Sequence, residues 1–140
     1  MPDRDIPPRW RRLLRIMRAV LYTCVICAGV GGLIWRPTTI AGTIGEPLTV
    51  WWTMLAATGG LVALTGVVTG RWQVEALATW VAVGGLIGYA IAVWGIVSQG
   101  SPTRLAQAFV ITGLTVAVAE QGVRLAAHAA KLRAMTPRRR

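Results

Sequence analysis

The chain has 140 residues, enough for one globular domain, but 54% hydrophobic against 14% charged residues and a mean hydropathy of +0.55 exclude an ordinary soluble domain and point to an integral membrane protein. A net charge of +10 would suit a nucleic-acid partner, yet the basic residues flank the apolar blocks, which favours topology and attraction to anionic lipid over nucleic acid. Five acids and one histidine leave no nucleophile–base pair, phosphate loop or metal cluster, so an enzyme, a cofactor and a metal site are not expected.

Residues 1–18 read as a basic cytoplasmic segment. Residues 1–9 hold three prolines and alternating charge and are expected to be disordered or loosely held at the membrane surface. From Trp10 onward, Arg11, Arg12, Arg15 and Arg18 alternate with Leu13, Leu14, Ile16 and Met17. That spacing suits an interfacial helix whose arginine stems reach lipid headgroups. The run Arg11-Arg12-Leu13-Leu14-Arg15 has the look of a twin-arginine export signal, and Thr39-Ile40-Ala41 of a cleavage site. Such signals carry folded soluble cargo, whereas here three further membrane helices follow.

A transmembrane domain is expected over 19–123, with spans at about 19–35, 47–69, 76–98 and 105–123. The uncharged runs behind them are 17, 24, 28 and 15 residues long, so the first and last spans are near the minimum for a hydrocarbon core of roughly 30 Å. Cys24 and Cys27 form a C-x-x-C in span one with no acid or histidine beside them, which predicts inert core cysteines, lipidation of Cys24 being the alternative. The outer connection from Arg36 to Pro47, rich in Pro, Gly and Thr, reads as an ordered loop or shallow re-entrant segment. Thr69 to Glu75 makes a short inner turn and Ser98 to Thr103 the second outer turn, so the spans form an antiparallel bundle. Span four is weak: eight Leu, Ile, Val or Phe residues supply roughly −4 kcal/mol against Glu120, Gln107 and Gln121, and its insertion is expected to depend on packing.

Residues 124–140 form a basic cytoplasmic tail. Its helical pattern continues to Met135, with Glu120, Arg124, His128 and Lys131 on one polar stripe, and His128 is expected on a solvated face. Arg11, Arg12, Arg15, Arg18, Lys131, Arg133, Arg138, Arg139 and Arg140 are the candidate contacts to anionic inner-leaflet headgroups. With four spans both ends share a side, which then carries thirteen basic residues against two, Arg36 and Arg104, on the other. The positive-inside rule puts both termini in the cytoplasm. Trp35, Trp51, Trp52 and Trp94 at outer ends, and Trp10, Trp72 and Trp80 at inner ends, agree as two aromatic belts.

Helix association in lipid relies on close approach at small residues. Gly84, Gly88 and Ala92 form such a stripe on span three, and Gly66 and Gly70 another at the end of span two. These five are the candidates for self-association in a homo-oligomer, with packing inside one chain as the competing use. Glu75 and Glu120 are the only acids placed to serve an ion path. Arg71 and Arg124 lie four residues from them, which favours local pairing over transport.

The start Arg9-Trp10-Arg11-Arg12, the segment Pro37-Thr38-Thr39-Ile40-Ala41-Gly42, the Gly59-Gly60 pair, the hairpin Thr69-Gly70-Arg71-Trp72 with Glu75, Tyr89-Ala90 and the arginine-rich tail cover residues 9–133. Together they resemble the small four-span membrane proteins encoded by phages of actinobacteria, often carried beside the endolysin and described as holins or simply as membrane proteins. Fourteen arginines against one lysine fit the GC-rich genome of such a host. The resemblance implies a protein of the cytoplasmic membrane of a bacterial host that oligomerises, permeabilises the bilayer and is functionally linked to an endolysin. The competing expectations are a non-lytic small membrane protein with a scaffolding or superinfection-exclusion role, and a small dimeric transporter.

Overall fold

The computed structural model describes residues 7–34 and 46–135, and among them all regular structure is helical. Helix α1 spans Pro8–Ile34, α2 Glu46–Thr69, α3 Trp72–Ser98 and α4 Leu105–Met135, the last preceded by a 3₁₀ turn at Pro102–Arg104. All four are long and apolar enough to cross a membrane. Even α2, with 24 residues, reaches about 36 Å at 1.5 Å per residue.

The ends of the helices follow from local chemistry. Pro8 opens α1, where a missing N–H costs nothing. The helix then runs unbroken for 27 residues, so the arginine-rich segment runs directly into the first apolar stretch. Only Gly70 and Arg71 separate α2 from α3, and Gly70 adopts φ +70°, a left-handed conformation that a side chain would strain. Gly100, at φ +94°, turns the chain between α3 and Pro102, where the 3₁₀ turn begins. Helix α4 continues without interruption from span four to Met135, as the polar stripe predicts.

Packing centres on α2, which lies between α1 and α3. A Cβ built on Gly59 would stand 2.5 Å from Ala82 N, one on Gly85 2.5 Å from Ala56 N, and one on Gly66 2.7 Å from Glu75 N. Ascending α2 through 56, 59 and 66 thus meets α3 in descending order at 85, 82 and 75, with Ala63 and Ala78 buried between. Steps of three and four on both helices keep one narrow small-residue seam in register, so that backbone meets backbone. One residue on from Gly59, Gly60 faces Tyr22 and Ile26 of α1, and a Cβ built on Gly29 of α1 would stand 2.6 Å from Ala57 N. The Gly59-Gly60 pair therefore serves both neighbours of α2. Helix α4 joins α3 through Ala92, Val93 and Ala108 and through Ile111 and Val118 in the main core.

Burial is uneven. In the most apolar window of α1, 17% of residues are buried, against 44% for α2, so α1 turns most of its surface outward. That corrects the expectation of core cysteines: Tyr22, Val25 and Gly29 occupy the packed face, and helical spacing leaves Cys24 and Cys27 exposed. Trp52 also departs from the expected belt. It is 5% exposed and stacked on Tyr89 of α3 with ring centroids 4.4 Å apart, whereas Trp51 is 66% exposed. The expected outer loop and Trp35 fall outside the described residues, except for its last residues at the start of α2.

Candidate functional site

The densest polar cluster surrounds Glu75, in the first turn of α3 and only 2% exposed. Gly66 makes room for it, because the α2 backbone can approach Glu75 only where no side chain intervenes. Arg18 of α1 places Nη1 at 3.4 Å from Oε1 and 3.3 Å from Oε2. Tyr22, one turn further along α1, lies with Oη 3.3 Å from Oε1. Gln121 of α4 donates from Nε2 to the same oxygen at 3.4 Å. Four helices thus meet at one carboxylate.

Proton counting fixes the arrangement of the hydroxyls. Thr79 donates to the Glu75 carbonyl one turn below at 2.7 Å, which leaves its oxygen to accept from Tyr22 Oη at 2.8 Å. The single phenolic proton is then directed at Thr79, and its reach to Glu75 is a longer second arm. Distances of 3.3–3.4 Å to Glu75 exceed the roughly 2.8 Å of a tight charge-assisted bond, so the carboxylate sits in a ring of donors instead of a compact bidentate pair. In a low-dielectric interior such a ring ties helices together, because any helix that withdraws leaves a buried charge less satisfied.

A second polar chain lies toward the other end of α3. Tyr89, under the Trp52 ring, accepts from Gln107 Nε2, and Arg104 donates to Gln107 Oε1 at 3.0 Å. Trp94 donates from Nε1 to Thr112 at 3.1 Å and meets Phe109 edge to face at 5.4 Å. These bonds join α4 to α3 near its start, as the Glu75 ring does beyond its middle.

The residues singled out from the sequence divide into distinct roles. Glu75 does not take its neighbour Arg71 as partner; Arg18, 57 residues away, reaches it instead. The reason is geometric: Glu75 faces α1 and α2, while Arg71, at the turn, is exposed. Arg18, expected at lipid headgroups, instead turns into the bundle with its side chain 16% exposed, while Arg11, Arg12, Arg15, Lys131 and Arg133 are exposed. Arg138, Arg139 and Arg140 lie outside the described residues. Glu120 and Arg124 do pair locally, at 2.6 Å, on the outside of α4. His128 is not on a solvated face: its ring meets Trp72 edge to face at 5.5 Å, and its Nε2 is buried with no hydrogen-bond partner among the described residues.

Of the five small residues expected to mediate self-association, Gly66 packs on Glu75, Gly70 makes the turn, Gly88 faces Trp52, whose Cβ a built side chain would meet at 3.1 Å, and Ala92 is fully buried. Only Gly84 has nothing within 4 Å of a built Cβ. It floors an open apolar groove of about 280 Å³ walled by Trp51, Leu55 and Ile91. Sequence reasoning did not assign Gly29, Gly59, Gly60 and Gly85 to helix packing, yet a Cβ on any of them would meet a neighbouring helix at 2.5–3.0 Å. The repeated Gly-Gly-Leu at 31, 59 and 84 was the signal for Gly59, Gly60 and Gly85, since each doublet places at least one glycine on a neighbouring helix; Gly29 lies outside it. Comparison with protein-family models, with curated proteins and with solved structures found no match.

Proposed function

We propose that the chain is a holin-type protein of the cytoplasmic membrane of a bacterial host, inserted as an antiparallel four-helix bundle with both ends inside. It self-associates and permeabilises the bilayer, giving an endolysin access to the cell wall. The observation that carries this reading is the open groove at Gly84, a glycine floor between bulky apolar walls on helices of membrane length. A second copy can lay a helix there, because close approach in lipid needs a small residue not already used within the subunit. The sequence resemblance and the large outward-facing apolar surface of α1 support the same reading.

Timed expression in a bacterium, with membrane potential recorded throughout, tests it. Abrupt depolarisation at a reproducible time is expected, delayed or abolished by Gly84→Leu and unaffected by Gly31→Leu, which also enters open space but on α1. Wild-type expression without depolarisation would overturn the lytic reading and leave the non-lytic membrane protein. Depolarisation indifferent to Gly84→Leu would remove Gly84 from the contact. The buried carboxylate of Glu75 supports a transporter as a second reading. Uptake of a cationic dye by proteoliposomes, lost in Glu75→Gln, would establish it.

A further inference from the structure

A groove of about 560 Å³ opens between the first two turns of α3 and the last turns of α4, away from the Glu75 ring. Its α3 wall is the stripe Trp72, Ala76, Leu77 and Trp80, and its α4 wall ends in Leu132 and Arg133. Leu77 is 74% exposed and Trp80 47%, so this apolar trough is uncovered within the subunit. Trp72 is held at the head of the trough by the edge of the His128 ring.

Among the described residues no acid compensates the charge at the mouth. Arg133 has no ion pair among the described residues. The acids of the two walls are engaged elsewhere, since Glu75 is buried and faces Arg18 while Glu120 is paired with Arg124. Trp72 and His128 stand level across the two helices, so Arg133 lies more than a turn beyond the start of α3. From Trp72 the stripe descends to Trp80, eight residues and about 12 Å further along α3. A cation at the rim, two indoles flanking an apolar slot, and an axial length of two turns match a molecule with an anionic head and a hydrocarbon tail.

We infer that this groove is a discrete seat for one anionic phospholipid, its phosphate at Arg133 and one acyl chain lying along Ala76 and Leu77 between Trp72 and Trp80. The inference rests on the membrane reading and goes beyond general attraction of a basic tail to charged lipid, because it requires both a defined cation and a defined slot. Helix α4 would then be held against α3 at its inner end by a lipid filling the space between them.

Full-length protein extracted from bacterial membranes in mild detergent, and given equal amounts of phosphatidylglycerol and phosphatidylcholine, supplies the test by native mass spectrometry. The wild type is expected to retain one phosphatidylglycerol in preference to phosphatidylcholine. Arg133→Gln should cut that preference five- to tenfold, and Ala76→Trp, which fills the slot but keeps the cation, should remove the bound lipid. Arg124→Gln, which deletes an equal charge outside the groove, should change the preference less than twofold. Equal retention of the two lipids, or a preference that follows Arg124 as much as Arg133 and survives Ala76→Trp, would overturn the seat while leaving the membrane reading intact. Recovery of the wild type in the soluble fraction without detergent would overturn both.

Discussion

Removing Arg18 should weaken the bundle more than its position near the N-terminus implies. In the native chain Glu75 is 2% exposed, and Arg18→Ala removes its cationic partner among the described residues while leaving Tyr22 and Gln121 within reach. At 3.3 Å and an effective dielectric of about 20, the gross attraction is about 5 kcal/mol before desolvation is counted. Breaking a buried pair from one side typically costs about 3–5 kcal/mol. Two conditions lower that figure here: the guanidinium is itself 16% exposed, and Gln121 still donates to the carboxylate while the Tyr22 hydroxyl can turn its proton from Thr79 toward it. We therefore expect Arg18→Ala to cost about 2–3 kcal/mol, and Glu75→Gln about 1 kcal/mol because it removes the more deeply buried charge, keeps an amide oxygen as acceptor and leaves the partly exposed guanidinium access to solvent. The double variant Arg18→Ala/Glu75→Gln should be less destabilised than the sum, with a coupling of about 1–2 kcal/mol. Unfolding of the purified full-length chain in mixed micelles titrated with sodium dodecyl sulfate, followed by circular dichroism, measures all four corners. Strict additivity, or an Arg18→Ala effect below about 0.5 kcal/mol, would show that the ring does not tie α1 to α3 and that the contact is incidental.

Glycine substitutions separate the internal seam from the outward groove. Gly59→Ala and Gly85→Ala drive a methyl to 2.5 Å from a backbone nitrogen and should cost about 1–3 kcal/mol by the same unfolding measurement. Gly84→Ala meets nothing within 4 Å and should be neutral, or stabilising by up to about 1 kcal/mol through helix propensity. Gly70→Ala places a side chain at φ +70° and should lose about 1 kcal/mol from strain at the α2–α3 turn, with Gly70→Asn recovering part of it. Equal effects at Gly59 and Gly84 would refute the assigned seam.

The helices were legible because their cause is local. Uncharged runs of membrane length, Gly70 and Gly100 at the turns, and a polar stripe continuing past Val123 are properties of neighbours in sequence, and the helix positions follow them within a few residues. The site was not legible, because its cause is not local. Arg71 and Arg18 are both arginines near the start of α3, and only the rotation of α3 about its axis decides between them. That rotation is set by the seam of Ala56, Gly59, Ala63 and Gly66, whose spacing of three and four residues is written in α2 but whose partners 85, 82, 78 and 75 lie a helix away. Once Gly59 meets Ala82, Glu75 must come under Gly66, and Arg18 and Tyr22, one turn apart on α1, are the side chains left to meet it. The small-residue stripe and the buried acid are therefore one device, close packing that forces a charge inward and a charge that then demands its cation. It leaves Gly84, outside the seam, open for contact with another molecule.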